Sequence, residues 1–157
     1  MFRLDGKCAL VTGAGFGMGA GIARAFASQG ARVAINDIDP ARAESMAEEL
    51  RASGFEAMVA PFDVTRIEEV RAARERIAEQ AGPVDILVNN AGNAGAGRFA
   101  QKTFAEMVPE DWEPFIAVNL EGVLNCTHTF LPGMCERGWG RVITISSDAG
   151  RIATPIG

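Results

Sequence analysis

The chain has 157 residues, 48% of them apolar and 22% charged, with a net charge of -5. That is the length of about one domain and the composition of a globular one; it excludes a disordered chain, and the acidic balance argues against a nucleic-acid partner. No run of apolar residues is long enough for a membrane span, and the charged start Met1-Phe2-Arg3-Leu4-Asp5-Gly6-Lys7 lacks the apolar core of a signal peptide, so a soluble, cytoplasmic protein without a membrane partner is expected.

Cys8-Ala9-Leu10-Val11 reads as a buried strand, and it runs into Thr12-Gly13-Ala14-Gly15-Phe16-Gly17-Met18-Gly19 before a helical run that starts near Met18. Glycines suit a strand that reverses sharply into a helix while its backbone comes within contact of a ligand. The free N–H groups and the dipole of the new helix favour an anion there by about 0.3–1 kcal/mol, which suits a pyrophosphate and needs no lysine. Two glycine registers fit the stretch: Gly15-x-Gly17-x-x-Ala20 matches the general dinucleotide fingerprint, and Gly13-x-x-x-Gly17-x-Gly19 after Thr12 a more specific one.

In the following helix Ile22, Ala23, Phe26 and Ala27 share a face, with Gly30 as the stop. Arg32 to Asp37 is a second strand, parallel to the first because a helix separates them. Asp37 stands where a carboxylate can accept hydrogen bonds from both hydroxyls of an adenosine ribose. The same charge would repel a 2′-phosphate by roughly 1–4 kcal/mol at about 4 Å, so NAD is expected over NADP; the lesser alternative is a solvated loop acid before the Asp39-Pro40 turn. Asp39-Pro40 starts a helix with Ala43, Ala47 and Leu50 inward and a stop at Gly54. Ala57 to Phe62 is a third strand whose Pro61 suits a sheet edge. Asp63-Val64 follows, by itself a loop acid and a core valine. Thr65-x-x-Glu68 reads as a capping box opening a helix with Ile67, Val70, Ile77 and Ala81 inward, ended by Gly82-Pro83.

Val84 to Val88 is nearly all apolar, as a central parallel strand is, and leads into Asn89-Asn90-Ala91-Gly92, where small residues let the chain pass close to a flat ring and the amides can tie strands together. Asn93 to Arg98 is rich in Gly and Ala and reads as a mobile substrate-side loop. Pro109 opens a long helix with Trp112, Phe115, Ile116, Asn119 and Val123 on one face, and Pro132-Gly133 predicts a kink or restart. Asn119 would need partners if buried. His128, the single histidine, reads as a helix-surface or core residue. Arg141 to Ser147 is a fifth strand with Ser146 and Ser147 at its carboxyl end, where ligands bind in open α/β sheets; neither lies in a nucleophile elbow. Cys8, Cys126 and Cys135 match no metal or disulfide spacing, so no metal is expected and the thiols are expected reduced and packed.

Thr12-Gly13-x-x-x-Gly17-x-Gly19 together with Asn89-Asn90-Ala91-Gly92 resembles the short-chain dehydrogenase/reductase family over essentially the whole chain. The resemblance implies an α/β fold, a Rossmann-type doubly wound parallel sheet of strand order 3-2-1-4-5 in three layers, lacking the family's C-terminal strands and helices, with residues 1–157 as one dinucleotide-binding domain. It implies an NAD-dependent oxidoreductase that interconverts a secondary alcohol and a ketone, and a homo-oligomer formed through the long helix around Trp112 to Cys126. Gly13, Gly15, Phe16, Gly17, Met18 and Gly19 would hold the pyrophosphate, Asp37 the ribose and Asp63 with Val64 the adenine. Asn90, Ala91 and Gly92 would wall the nicotinamide, Asn119 would hold a water of the proton relay, and Ser147 would orient the substrate oxygen. The family's acid is the tyrosine of Tyr-x-x-x-Lys, beyond Ser147; this chain has no tyrosine and ends ten residues later at Gly157. It is therefore expected to be a piece of a longer protein, inactive by itself. A non-catalytic NAD-binding module, or a remnant with neither property, are the alternatives, and the substrate is not legible.

Overall fold

The computed structural model describes residues 3–93 and 103–147. Five parallel strands form one sheet in the order β3-β2-β1-β4-β5. In chain order they are β1 (Cys8–Val11), β2 (Arg32–Ile35), β3 (Ala57–Val59), β4 (Ile86–Asn89) and β5 (Arg141–Thr144). The helices are α1 (Gly17–Ser28), α2 (Pro40–Ala52), α3 (Ile67–Ala81), α4 (Pro109–Ile116) and α5 (Gly122–Glu136). Chain and strand order part company after β3, where the chain returns past β1 to lay β4 against its other side.

The period of two in the strands sorts side chains to opposite sheet faces and so builds two cores. Cys8, Leu10, Ala34 and Leu87 face α3 and α5, meeting Val70, Ile77, Phe130 and Met134. Ala9, Val11, Val33, Ile35 and Val88 face α1 and α2, meeting Ala23, Ala27, Ala47 and Leu50. The result is the expected three-layer arrangement. Each fully buried Leu, Ile or Val contributes about 1.5–3 kcal/mol of burial.

Most expected elements form, though β2, β3 and β5 end short of the apolar runs that announce them. β3 is an edge strand, as Pro61 suggested. Asp39 caps α2 by accepting the Ala41 N–H at 3.0 Å, with Pro40 as the first helical residue. The expected capping box at Thr65 does not form. Helix α3 starts two residues later with Arg66 as its uncapped N-cap, because Thr65 donates both its N–H and its hydroxyl to the Asp63 carboxylate, at 2.9 and 2.8 Å. Glu69, not Glu68, reaches back to accept the Asp63 N–H at 3.0 Å.

The long C-terminal helix also departs from expectation. Helix α5 runs through Pro132 to Glu136 with Phe130 and Met134 buried on either side of the proline, so ending it there would expose core. The irregularity lies earlier, in a π-helical turn over Ala117–Glu121 that joins α4 to α5. An extra residue in a turn rotates the face that follows. Beyond the turn Val123 is only half-buried while Cys126, Phe130 and Met134 make the inward stripe; before and within it Trp112 and Phe115 are half-buried and Ile116 and Asn119 exposed, so the expected single face does not form. His128 lies exposed on α5.

Cys8 and Cys126 are buried thiols, but Cys135 is exposed, against the expectation of packing. Burial pushes the Cys8 thiol up to about 11 and Cys126 to about 12. No helix among the described residues is long and apolar enough to cross a membrane.

Candidate functional site

The carboxyl end of β1 turns into α1 through backbone that side chains resist: Gly13 and Gly17 both hold φ of 61°. Close approach adds a second demand at Gly13 and Gly19. A Cβ on Gly13 would stand 3.0 Å from the Ala91 Cα, and one on Gly19 would overlap the Gly13 carbonyl oxygen. Phe16, the N-cap of α1, has an extended backbone and provides no side-chain cap, and the first turn carries no acid. The opening N–H groups and positive dipole end of a twelve-residue helix are thus left to whatever sits beside Gly17 and Met18.

Side chains from both neighbouring strands fix this turn. Asn36, just past β2 and buried, accepts the Gly13 N–H at 3.2 Å and donates to the Ala60 and Phe62 carbonyls at 3.2 and 2.9 Å. On the β4 side the Thr12 hydroxyl accepts the N–H groups of Asn90 and Ala91 at 3.0 and 2.9 Å while donating to the Val88 carbonyl at 3.2 Å. Asn90 in turn donates its amide to the carbonyls of Thr12 and Gly13 at 2.8 and 3.1 Å. Of the two asparagine amides expected to tie neighbouring strands, that of Asn90 joins the end of β4 to the end of β1, whereas that of Asn89 donates to the Thr127 hydroxyl on α5 at 3.1 Å.

Asp37 is only 3% exposed. Its carboxylate accepts the Gly15 N–H at 3.1 Å with one oxygen and the Asp39 N–H at 3.0 Å with the other, which aims it without using up its lone pairs. Gly15 is required here for space: a Cβ would come within 2.7 Å of the Asp37 oxygen and 2.6 Å of the Arg42 Cβ. Asp63 is half-buried and Val64 buried. The Asn125 amide donates to the Val64 carbonyl at 3.0 Å, and Gly122 is bare where a Cβ would meet the Val64 side chain at 2.7 Å.

These groups line one cleft of about 480 Å³ at the carboxyl ends of the strands, beside the point where the chain crosses from β3 to β4. It brings together Gly13, Phe16, Gly17, Met18, Gly19, Asp37, Asp63, Val64, Asn90, Ala91 and Gly92. Gly15 lies behind the wall, against Asp37 and Arg42. Sequence reasoning missed Asn36, Ile38, Arg42, Phe62, Val118 and Ile145 in the lining, while Asn93, the first residue of the expected substrate-side loop, is part of it; of those missed, only Ile38, an apolar residue between two acids at a strand end, carried a local signal. Asn119 borders the cleft through Asn93, accepting its N–H at 3.1 Å and donating to its backbone and side-chain oxygens at 3.1 and 3.0 Å. Being exposed, it finds those partners on a loop and not inside the helix pack. Ser146 and Ser147 follow β5 as exposed residues outside the lining, although Ile145 beside them is in it. The segment 94–98 of the expected substrate-side loop lies outside the described residues.

A parallel sheet carrying a glycine turn, an uncapped helix N-terminus and a buried acid past the second strand defines a Rossmann-type dinucleotide-binding fold. The chain belongs to the short chain dehydrogenase family, whose model matches residues 7–157. Over 147 residues it is 40% identical to 5-keto-D-gluconate 5-reductase of Escherichia coli (strain K12), covering 94% of this chain and 56% of that protein. It superposes with a TM-score of 0.88 and 40% identity on a gluconate 5-dehydrogenase from Burkholderia cenocepacia J2315 in complex with NADP and tartrate, over 98% of this chain and 58% of the other. The same TM-score, at 36% identity, relates 97% of it to 57% of a 7 alpha-hydroxysteroid dehydrogenase complexed with NADH and 7-oxo glycochenodeoxycholic acid. The chain thus spans just over half the length of these relatives.

Proposed function

We propose that residues 1–157 form a dinucleotide-binding domain of an NAD-dependent oxidoreductase that interconverts a small secondary alcohol and the corresponding ketone. The observation that carries this reading is the buried Asp37 carboxylate, aimed by two backbone N–H groups into the cleft that begins at the uncapped N-terminus of α1. The donor set fits the group: the α1 amides near Gly17 and Gly19 suit a diphosphate, Asp37 a diol, Asp63 and Val64 an adenine edge and face, and Asn90, Ala91 and Gly92 a flat ring at the far wall. Bound nicotinamide supplies or accepts the hydride. Asn119, held by Asn93, and Ser147 are the residues of this chain assigned to the substrate end, Asn119 positioning a water and Ser147 the reacting oxygen. The alcohol's proton must pass to a group of matched pKa, and with no tyrosine among the 157 residues the chain by itself binds but does not turn over. The names of the two gluconate-related proteins and of the hydroxysteroid dehydrogenase support a hydroxy or keto compound as the substrate class.

The protein is further read as a cytoplasmic homo-oligomer. Ile116, Leu120 and Leu124, all exposed at helical spacing along α4, the π turn and α5, support an apolar contact between copies.

The test is titration with NADH and NADPH, followed by nucleotide fluorescence and checked by calorimetry. Saturable NADH binding, at least several-fold tighter than NADPH, is expected. Uptake of neither nucleotide would overturn the reading, and tighter NADPH binding would overturn the assignment of NAD.

A further inference from the structure

We propose that the side chain of Asn93 is a positioning group for the far end of the cleft: it clasps the wall after β4 to the π turn, so that Ala91 and Gly92 are held in place before a flat ring arrives. The inference rests on the nicotinamide-dinucleotide reading above and adds to it a residue in which the sequence shows only the start of a loop. Ala91, Gly92 and Asn93 line one side of that end, and Val118, within the π turn, lines the other.

Four hydrogen bonds at Asn93 join the two sides, across 21 and 26 residues of sequence. Its N–H donates to the Asn119 Oδ1 at 3.1 Å and its carbonyl accepts from the Asn119 Nδ2 at 3.1 Å, which any non-proline residue at this position could do. The other two need an amide side chain. Asn93 Oδ1 accepts from the Asn119 Nδ2 at 3.0 Å, while Asn93 Nδ2 donates to the Pro114 carbonyl at 3.1 Å. Pro114 lies in α4, ahead of the π turn, and Asn119 lies inside the turn, so one side chain brackets it from both ends. An aliphatic residue could make neither bond, and a carboxylate could not donate to Pro114. Gly92 rests against the clasp, since a Cβ there would stand 3.0 Å from the Asn119 Oδ1.

All four bonds are exposed to water, so each adds little to the stability of the fold. Their effect falls on binding: a wall ordered beforehand spares the ligand the cost of ordering it. The adenine end, at Asp37 and Asp63, is fixed by separate hydrogen bonds. Loss of the clasp should therefore be felt by a ligand that reaches the far wall and not by one that stops short of it.

NADH and ADP-ribose, which has the adenine, riboses and diphosphate but no nicotinamide, are the probes, titrated by calorimetry into wild type, Asn93→Ala and Asn93→Leu. Both variants are expected to lose about three- to tenfold in NADH affinity, with part of the fluorescence enhancement of bound NADH, while ADP-ribose affinity changes by less than about twofold. Unchanged NADH affinity in both variants would overturn the inference. So would equal losses for the two ligands, the sign of general loosening, or wild-type NADH binding by Asn93→Leu, which would make the side chain a space filler. If wild type binds ADP-ribose as tightly as NADH, the far wall contributes nothing and this inference alone falls. If it binds neither, the dinucleotide reading falls and the inference with it.

Discussion

β1 and β5 are both four-residue parallel strands in one sheet, and β5 is the richer in β-branched residues, yet their surroundings are opposite. All of β1 is buried between β2 and β4 with helices on both faces, whereas all of β5 is exposed at the sheet edge, Val142 at 37% and Ile143 at 41%. Apolar, β-forming sequence nominates a strand; neighbours on both sides and both faces are what bury it. The same contrast divides the cleft. Its floor near β1 is tied by buried and part-buried hydrogen bonds, and its end at Asn93 and Asn119 rests on exposed ones.

The sharpest way to break that contrast is Thr12→Val, which keeps the shape of a residue 1% exposed but removes the oxygen that accepts from Asn90 and Ala91. Leaving those N–H groups without a partner should cost about 1–3 kcal/mol each. Urea denaturation would show a lower midpoint at unchanged slope; a loss under about 0.5 kcal/mol would mean that the floor is not held as described.

A second effect, confined to alkaline pH, follows from the buried thiols. The Cys8 pKa is raised to about 11 by burial from an ordinary value of 9.0, so above pH 9 the unfolded chain releases a proton that the folded chain keeps. Stability should therefore fall with pH from about 9 to about 11, and for Cys126 on to about 12. Cys8→Ala should flatten part of that slope in denaturation at several pH values. The native protein should meanwhile react with a thiol reagent at the exposed Cys135 and at the other two only on unfolding.

The smallest effect is expected at β5. Val142→Lys should change stability by less than about 0.5 kcal/mol, since the side chain gives up little burial, while raising the concentration at which light scattering detects aggregation. A loss comparable to that of Thr12→Val would show β5 to be as enclosed as β1.

Much of the first half of the chain could be read in its residues because local rules agree there. Asp39-Pro40 marks a helix start, Gly30 and Gly82 mark stops, and Gly13 and Gly17 take the positive φ that only glycine accepts readily. Asp37 was legible from its place after β2. Thr65 misled because Asp63, Thr65, Glu68 and Glu69 can all cap, and only the folded backbone selects which do. The π turn at Ala117–Glu121 has no breaker at its position, while the prolines that do occur, Pro114 and Pro132, are accommodated within α4 and α5. Phe16 and Arg42 are 26 residues apart in sequence (42 minus 16), and their contact depends on how α2 returns over the sheet.

The anchoring of Gly13 to Asn36 on one flank and to Asn90 on the other divides the cleft into parts with unequal mutational freedom. Changes at Gly13, Thr12, Asn36 or Asn90 disturb two strands at once, so that ground is closed to gradual alteration. The rim, with Phe16, Ile38 and Arg42 largely in solvent, can vary one residue at a time. Gradual change in the cleft would therefore begin along the rim, ahead of the buried Asp37 and of the frame beneath it.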